Sequence, residues 1–197
     1  MPIDILLALS VFSFVTSVTP GPNNLMLLAS GVNFGFRRTI PHMLGIGSGF
    51  GFLLLAVGFG LGEILDRAPM LFLAIKVCGA AYLLWLAWRI AQSGPLEARQ
   101  SGARPMRFLE ATAFQWVNPK GWVMAIGAMA VYVDPGKYAL SVMLVAAIFV
   151  AIGVPAISLW TGMGVGLRRF LDRPAALRIF NWTMALLLVA SLWPMLR

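Results

Sequence analysis

Charged side chains are scarce in this chain: Asp, Glu, Lys and Arg make up 11% of its 197 residues, against about 25% in an ordinary soluble domain. Cysteine and histidine occur once each, as Cys78 and His42. That excludes a disulfide framework within the chain and argues against a Cys/His metal site, so no metal or cofactor is implied. The seven acids are Asp4, Glu63, Asp66, Glu97, Glu110, Asp134 and Asp172. None lies in the middle of a long apolar run, so an intramembrane carboxylate relay has no evident residue. Nothing resembles a Ser/His/Asp set or a His/carboxylate cluster, which speaks against an enzyme.

Apolar residues fill the space, at 60% of the chain and a mean hydropathy of +0.86. The charges fall in short clusters between long uncharged stretches. Windows of about 20 apolar residues, enough to cross a hydrocarbon core of ~30 Å, predict six transmembrane helices over 3–33, 41–62, 69–90, 107–133, 137–162 and 174–196. Proline is expected to open the second, third and sixth at Pro41, Pro69 and Pro174, where its missing N–H is least missed. The first span lacks the basic start and small-residue cleavage pattern of a signal peptide, so it is read as a retained helix. The longest polar stretch, 92–107, has the length of a loop. The expected organisation is one transmembrane domain over 1–197, with halves at about 1–92 and 107–197 joined by a cytoplasmic loop at 93–106.

Fifteen basic residues against seven acids leave a formal charge of +8. Their placement points to topology rather than to nucleic acid. Arg37, Arg38, Arg89, Arg99, Arg104, Arg107, Arg168, Arg169, Arg173 and Arg178 surround the odd-numbered loops. Arg67, Lys137 and Arg197 alone take the other side, while Lys76 and Lys120 lie within spans. The positive-inside rule puts the larger group in the cytoplasm and both termini outside.

Spans one and four carry the chemistry. Thr19-Pro20-Gly21-Pro22-Asn23-Asn24 interrupts an apolar run that would measure about 46 Å as one continuous helix. Two prolines flanking a glycine remove backbone donors and loosen the chain, so two half-helices joined by an unwound segment fit better. Such backbone is tolerated at bilayer depth only inside protein or against a wet cavity. Asn118-Pro119-Lys120-Gly121 repeats the arrangement in span four, half a chain away. An odd number of spans per half turns the halves upside down relative to each other. The fold class expected is therefore all-α and integral to the membrane: two inverted three-helix repeats, with helices 1 and 4 broken at the midplane around a solute site.

At such a site the half-helix after each break presents its partly positive end. The segment from Asn23 onward, with the Asn23 and Asn24 amides, is expected to hold a solute carboxylate. Lys120, about 20 Å into its span at 1.5 Å per residue, needs a wet cavity or a partner. Lys76 is shallower, and snorkelling toward the surface explains it nearly as well. Gln115, Tyr82 and Asn181 are polar groups that could complete the site or simply pack between helices. The glycines of span two allow close helix contact.

These motifs resemble the lysine/homoserine exporter family of LysE/RhtB-type amino-acid exporters. The residues that carry the resemblance are Thr19-Pro-Gly-Pro-Asn23 and Asn118-Pro-Lys120, with Gly35-Phe-Arg37-Arg38, Gly45 and Gly49. Lys76-Val-Cys-Gly79-Ala-Ala-Tyr82-Leu83 and Trp85 continue it. It implies efflux of amino acids or close zwitterionic derivatives across the bacterial cytoplasmic membrane, driven by an ion gradient. Asn23 stands where many members carry aspartate, which removes a candidate cation or proton ligand; Ala111 and Gln115 also depart from the usual glycine and asparagine. The expected partners are a small amino-acid-like solute and the lipid bilayer, with a homo-oligomer left open. A non-transporting membrane scaffold, or efflux of another solute such as a metal cation, stays as the alternative.

Overall fold

The structure, a computed structural model, describes residues 1–62, 67–93, 104–171 and 173–193. Glu63, Asp66, Glu97, Arg99, Asp172, Arg197 and most of the 93–106 loop lie outside the described residues. Everything described is helix or short connection. We number the helices α1 (Ile3–Val18), α2 (Pro22–Phe34), α3 (Phe36–Ala56), α4 (Pro69–Ala91), α5 (Phe108–Phe114), α6 (Pro119–Tyr132), α7 (Tyr138–Arg168) and α8 (Pro174–Ala190).

Local chemistry explains the boundaries. Thr19 precedes a proline and is driven out of the helical region, with φ −56° and ψ 132°. Gly21 is fully extended, and Pro22 then opens α2 at a position where no N–H is needed. Across this break α1 and α2 are bent by 57°. In the second break a short tight turn over Gln115–Val117 leads to extended Asn118, after which Pro119 starts α6. Gly35 at φ +82° ends α2 and lets α3 begin at once. The second span therefore starts at Phe36, and Pro41, expected to open it, lies inside α3. The sharp turn at Gly35 sets the helix start, so Pro41 only removes one donor from a helix already under way. Pro69 and Pro174 do open α4 and α8.

Three stretches, Phe36–Leu61, Leu73–Ala91 and Pro135–Arg168, are long and apolar enough to cross a membrane, and the bent α1–α2 pair makes a fourth if it counts as one span. α8 is apolar but shorter. Large apolar side chains face outward along the bundle, among them Ile3, Leu7 and Val11 on α1, Val123 and Val131 on α6, and Leu186 on α8. An apolar exterior of this extent belongs against lipid.

Small residues set how closely the helices approach. On α3, Gly45 and Gly49 meet the α5 backbone at Phe108 and Thr112, while Gly47 and Gly51 meet Val154 and Val150 of α7. A Cβ at Gly31 would run into the Thr161 carbonyl, and one at Gly164 into the Leu28 carbonyl, so α2 and α7 cross backbone to backbone. The helix pairs with the most contact are few. α1 and α2 pack on α7, α5 and α6 pack on α3, α3 packs on α7, and α4 packs on α8.

Candidate functional site

The two breaks meet at one internal cavity of about 50 Å³, room for a few water-sized groups. Thr16, Ser17, Gly21, Asn23 and Asn24 line it from the first break, and Gln115, Asn118, Lys120 and Gly121 from the second. Apolar walls come from Ile46 and Phe50 on α3, Met124 on α6, and Phe149 and Ile157 on α7. Phe50 and Phe149 pack edge to face at 5.5 Å.

A helix end leaves carbonyls without partners, and at the end of α1 the Ser17, Val18 and Thr19 carbonyls accept from side chains. Asn24 donates its amide to the carbonyls of Ser17 (2.9 Å) and Thr19 (2.8 Å). Trp160 Nε1 donates to the Val18 carbonyl at 3.1 Å. Lys120, reaching across from the second break, donates Nζ to the Thr19 carbonyl. Its ammonium thus sits at the partly negative end of α1, a favourable place for a cation. Among the described residues no carboxylate pairs with it; the one ion pair joins Arg104 and Glu110. Gly21 is required beneath it, because a Cβ there would stand 2.7 Å from Lys120 Cδ.

A second bond ties the breaks together. Asn23 Nδ2 donates to Gln115 Oε1 at 2.8 Å, and Gln115 Nε2 returns to Asn23 Oδ1 at 3.3 Å and also reaches the Ala111 carbonyl at 2.9 Å. Asn118 is 3% exposed, and its Oδ1 has no partner among the described residues. A buried acceptor left unpaired is costly, and this one borders the cavity.

Of the expected site residues, Gly21, Asn23, Asn24, Gln115, Asn118 and Lys120 line the cavity, and Thr19 contributes its carbonyl. Pro20, Pro22 and Pro119 shape the breaks without lining it. The Asn24 amide, expected to bind solute, is committed instead to capping α1. Tyr82 and Asn181 lie elsewhere. Tyr82 stacks on Trp85 at 5.4 Å. Asn181 is buried, accepting from Asn33 Nδ2 at 3.0 Å and donating to the Ser93 carbonyl at 2.5 Å. Lys76 is on α4, but its side chain lies outside what the structure describes. Sequence reasoning missed Thr16, Ser17, Phe50, Met124 and Phe149; they look like any other span residue until the helices are rotated into place.

A lipid-compatible helical bundle in which two broken helices converge on a small cavity, apolar-walled with a few polar groups at the breaks, has the build of a membrane transporter. Residues 14–190 match the LysE type translocator family. The chain is 33% identical over 189 residues to the cysteine/O-acetylserine efflux protein of Escherichia coli (strain K12), an alignment that covers 94% of each chain. The same values hold for the protein of that name from Shigella flexneri serotype 5b (strain 8401). No solved structure matches. The chain belongs to the LysE type translocator family, and it is a transporter, not an enzyme.

Proposed function

We propose that the protein exports small amino acids with neutral side chains, O-acetylserine and cysteine among them, across the bacterial cytoplasmic membrane. The observation that carries this reading is the convergence of Lys120 and the orphaned Asn118 Oδ1 on one cavity between the two breaks. A zwitterion needs a cationic donor for its carboxylate and an acceptor for its ammonium. Lys120 supplies the first when it exchanges the Thr19 carbonyl for the solute, and Asn118 Oδ1 supplies the second. The apolar walls leave no charged partner for a long cationic side chain, which favours neutral solutes.

The architecture proposed is six spans in two inverted halves, about 1–92 and 107–197, within one domain. The exchangeable helix pairing and the corresponding breaks support it. In this arrangement the cavity lies near the midplane, the arginine-rich ends face the cytoplasm and both termini face outward. Alternating access then requires the Lys120–Thr19 bond and the Asn23–Gln115 pair to open, since both hold the breaks together.

Efflux of radiolabelled O-acetyl-L-serine from preloaded vesicles, at matched expression, tests the proposal. Lys120→Met is expected to abolish export, and Lys120→Arg to restore only part of it, because a guanidinium has a different shape and reach. Export at the parental rate by Lys120→Met would refute the carboxylate role.

A further inference from the structure

We infer that a second cavity, at the arginine-rich end of the bundle, is a separate binding site for a small carboxylate, held by Arg89 and His42. The cavity measures about 240 Å³ and lies between the C-terminal ends of α2 and α4, the first turns of α3 and residues 104–106. It shares no lining residue with the cavity between the breaks.

Its polar groups divide into those already satisfied and those that are not. Ser30 is bonded to Thr39 at 2.8 Å. Asn33 donates to the Ala29 carbonyl at 2.8 Å and to Asn181 at 3.0 Å. Arg104 is held by both oxygens of Glu110, at 2.8 and 2.5 Å, so its charge is neutralised. Two groups remain. His42 is 2% exposed, and neither ring nitrogen has a hydrogen-bond partner among the described residues. Arg89 lies with its guanidinium 5.0 Å from the Trp85 ring centroid and pairs with no carboxylate among the described residues.

A buried imidazole with both nitrogens unpaired is an expensive feature to keep, and a guanidinium lining the same cavity, with no carboxylate partner among the described residues, fixes the sign of the group that would satisfy it. The complement is a group with one negative charge and two acceptor oxygens, one for the planar guanidinium fork and one for an imidazole N–H. A carboxylate meets that description. The inference rests on the exporter reading for its solute: an amino acid entering from the cytoplasm would be captured by its carboxylate here before reaching Lys120.

The single histidine makes a direct test possible. Full-length protein with a histidine-free tag, labelled with ¹⁵N-histidine in lipid nanodiscs, gives imidazole signals from His42 alone. Sodium acetate and O-acetyl-L-serine are titrated at constant ionic strength, with sodium chloride and O-acetyl-L-serinamide as controls lacking a carboxylate. Saturable shifts with both carboxylates and none with the controls are expected. Arg89→Gln should raise the half-saturating concentration roughly tenfold or more, the loss of one charge-assisted hydrogen bond. Arg89→Lys should keep part of the response, and Lys120→Met should leave it unchanged. No shift, an equal shift with chloride, or indifference to Arg89→Gln overturns the site. Loss of the shift in Lys120→Met overturns it too, because His42 would then be reporting the first cavity from a distance. A response to acetate without one to O-acetylserine supports the carboxylate site and counts against the solute class, which separates the two failures.

Discussion

Asn24 sits beneath the end of α1 with its amide nitrogen on the Ser17 and Thr19 carbonyls. Asn118, which lines the cavity, stands at the N-cap position of α6 with its side-chain oxygen unpaired among the described residues. Both are buried asparagines beside a break, yet removing them should have opposite consequences. Asn24→Ala leaves the buried Ser17 carbonyl without its side-chain donor, at a cost of about 1–3 kcal/mol. Its thermal unfolding midpoint in detergent, followed by tryptophan fluorescence, should fall clearly. Asn118→Ala removes an acceptor with no partner among the described residues and, from its amide nitrogen, only a long 3.4 Å bond to Gln115, so its midpoint should stay near the parental one while export of O-acetyl-L-serine drops. An intact midpoint in the Asn24 variant would mean that the α1 end does not depend on this cap. Unimpaired export by Asn118→Ala would remove the ammonium role.

Among the elements, α2 and α7 cross backbone to backbone, and the crossing depends on Gly31 and Gly164. A leucine at Gly31 would drive its Cβ into the Thr161 backbone carbonyl, which cannot turn aside as a side chain can. Overpacking of that kind costs about 1–3 kcal/mol or more, so Gly31→Leu should lower the unfolding midpoint or prevent assembly. Gly127 is the control: a Cβ there meets nothing within 4 Å, and Gly127→Ala on α6 should be neutral or stabilise by up to about 1 kcal/mol. Equal behaviour of the two variants would contradict the crossing. The same contacts explain what was legible in the sequence. Breaks were, because Thr19-Pro20-Gly21-Pro22 and Asn118-Pro119 act on their own backbone. The true start of α3 was not, because Gly35 rather than Pro41 decides it. Nor was the grouping of polar residues. Whether Tyr82 or Asn181 faces the cavity depends on helix rotation, and small contacts such as Gly79 against the Val117 carbonyl fix that rotation only in three dimensions.

For the molecule as a whole, the proposed inverted halves draw support from two correspondences: α1 packs on α7 as α5 packs on α3, and α2 packs on α7 as α6 packs on α3. Sequence alone offered only the spacing of the two proline motifs, because side-chain likeness between the halves is weak. Inversion makes a demand on topology that a simple six-helix bundle does not. The turn after the first broken span, at Phe36, and the turn after the second, at Gly136, occupy equivalent places in the two halves, and both residues are exposed. Inverted repeats put them on opposite faces of the membrane. On the proposed orientation Phe36, next to Arg37 and Arg38, lies inside and Gly136 outside. Cys78 is exposed and has to be replaced by alanine first. In that background, Phe36→Cys should resist an impermeant thiol reagent added to intact cells and label once the membrane is opened, whereas Gly136→Cys should label at once. The reverse pattern would keep the inverted halves and flip the orientation. Labelling of both from the same face would mean that the halves are not inverted, and the alternating-access scheme built on the two breaks would go with them.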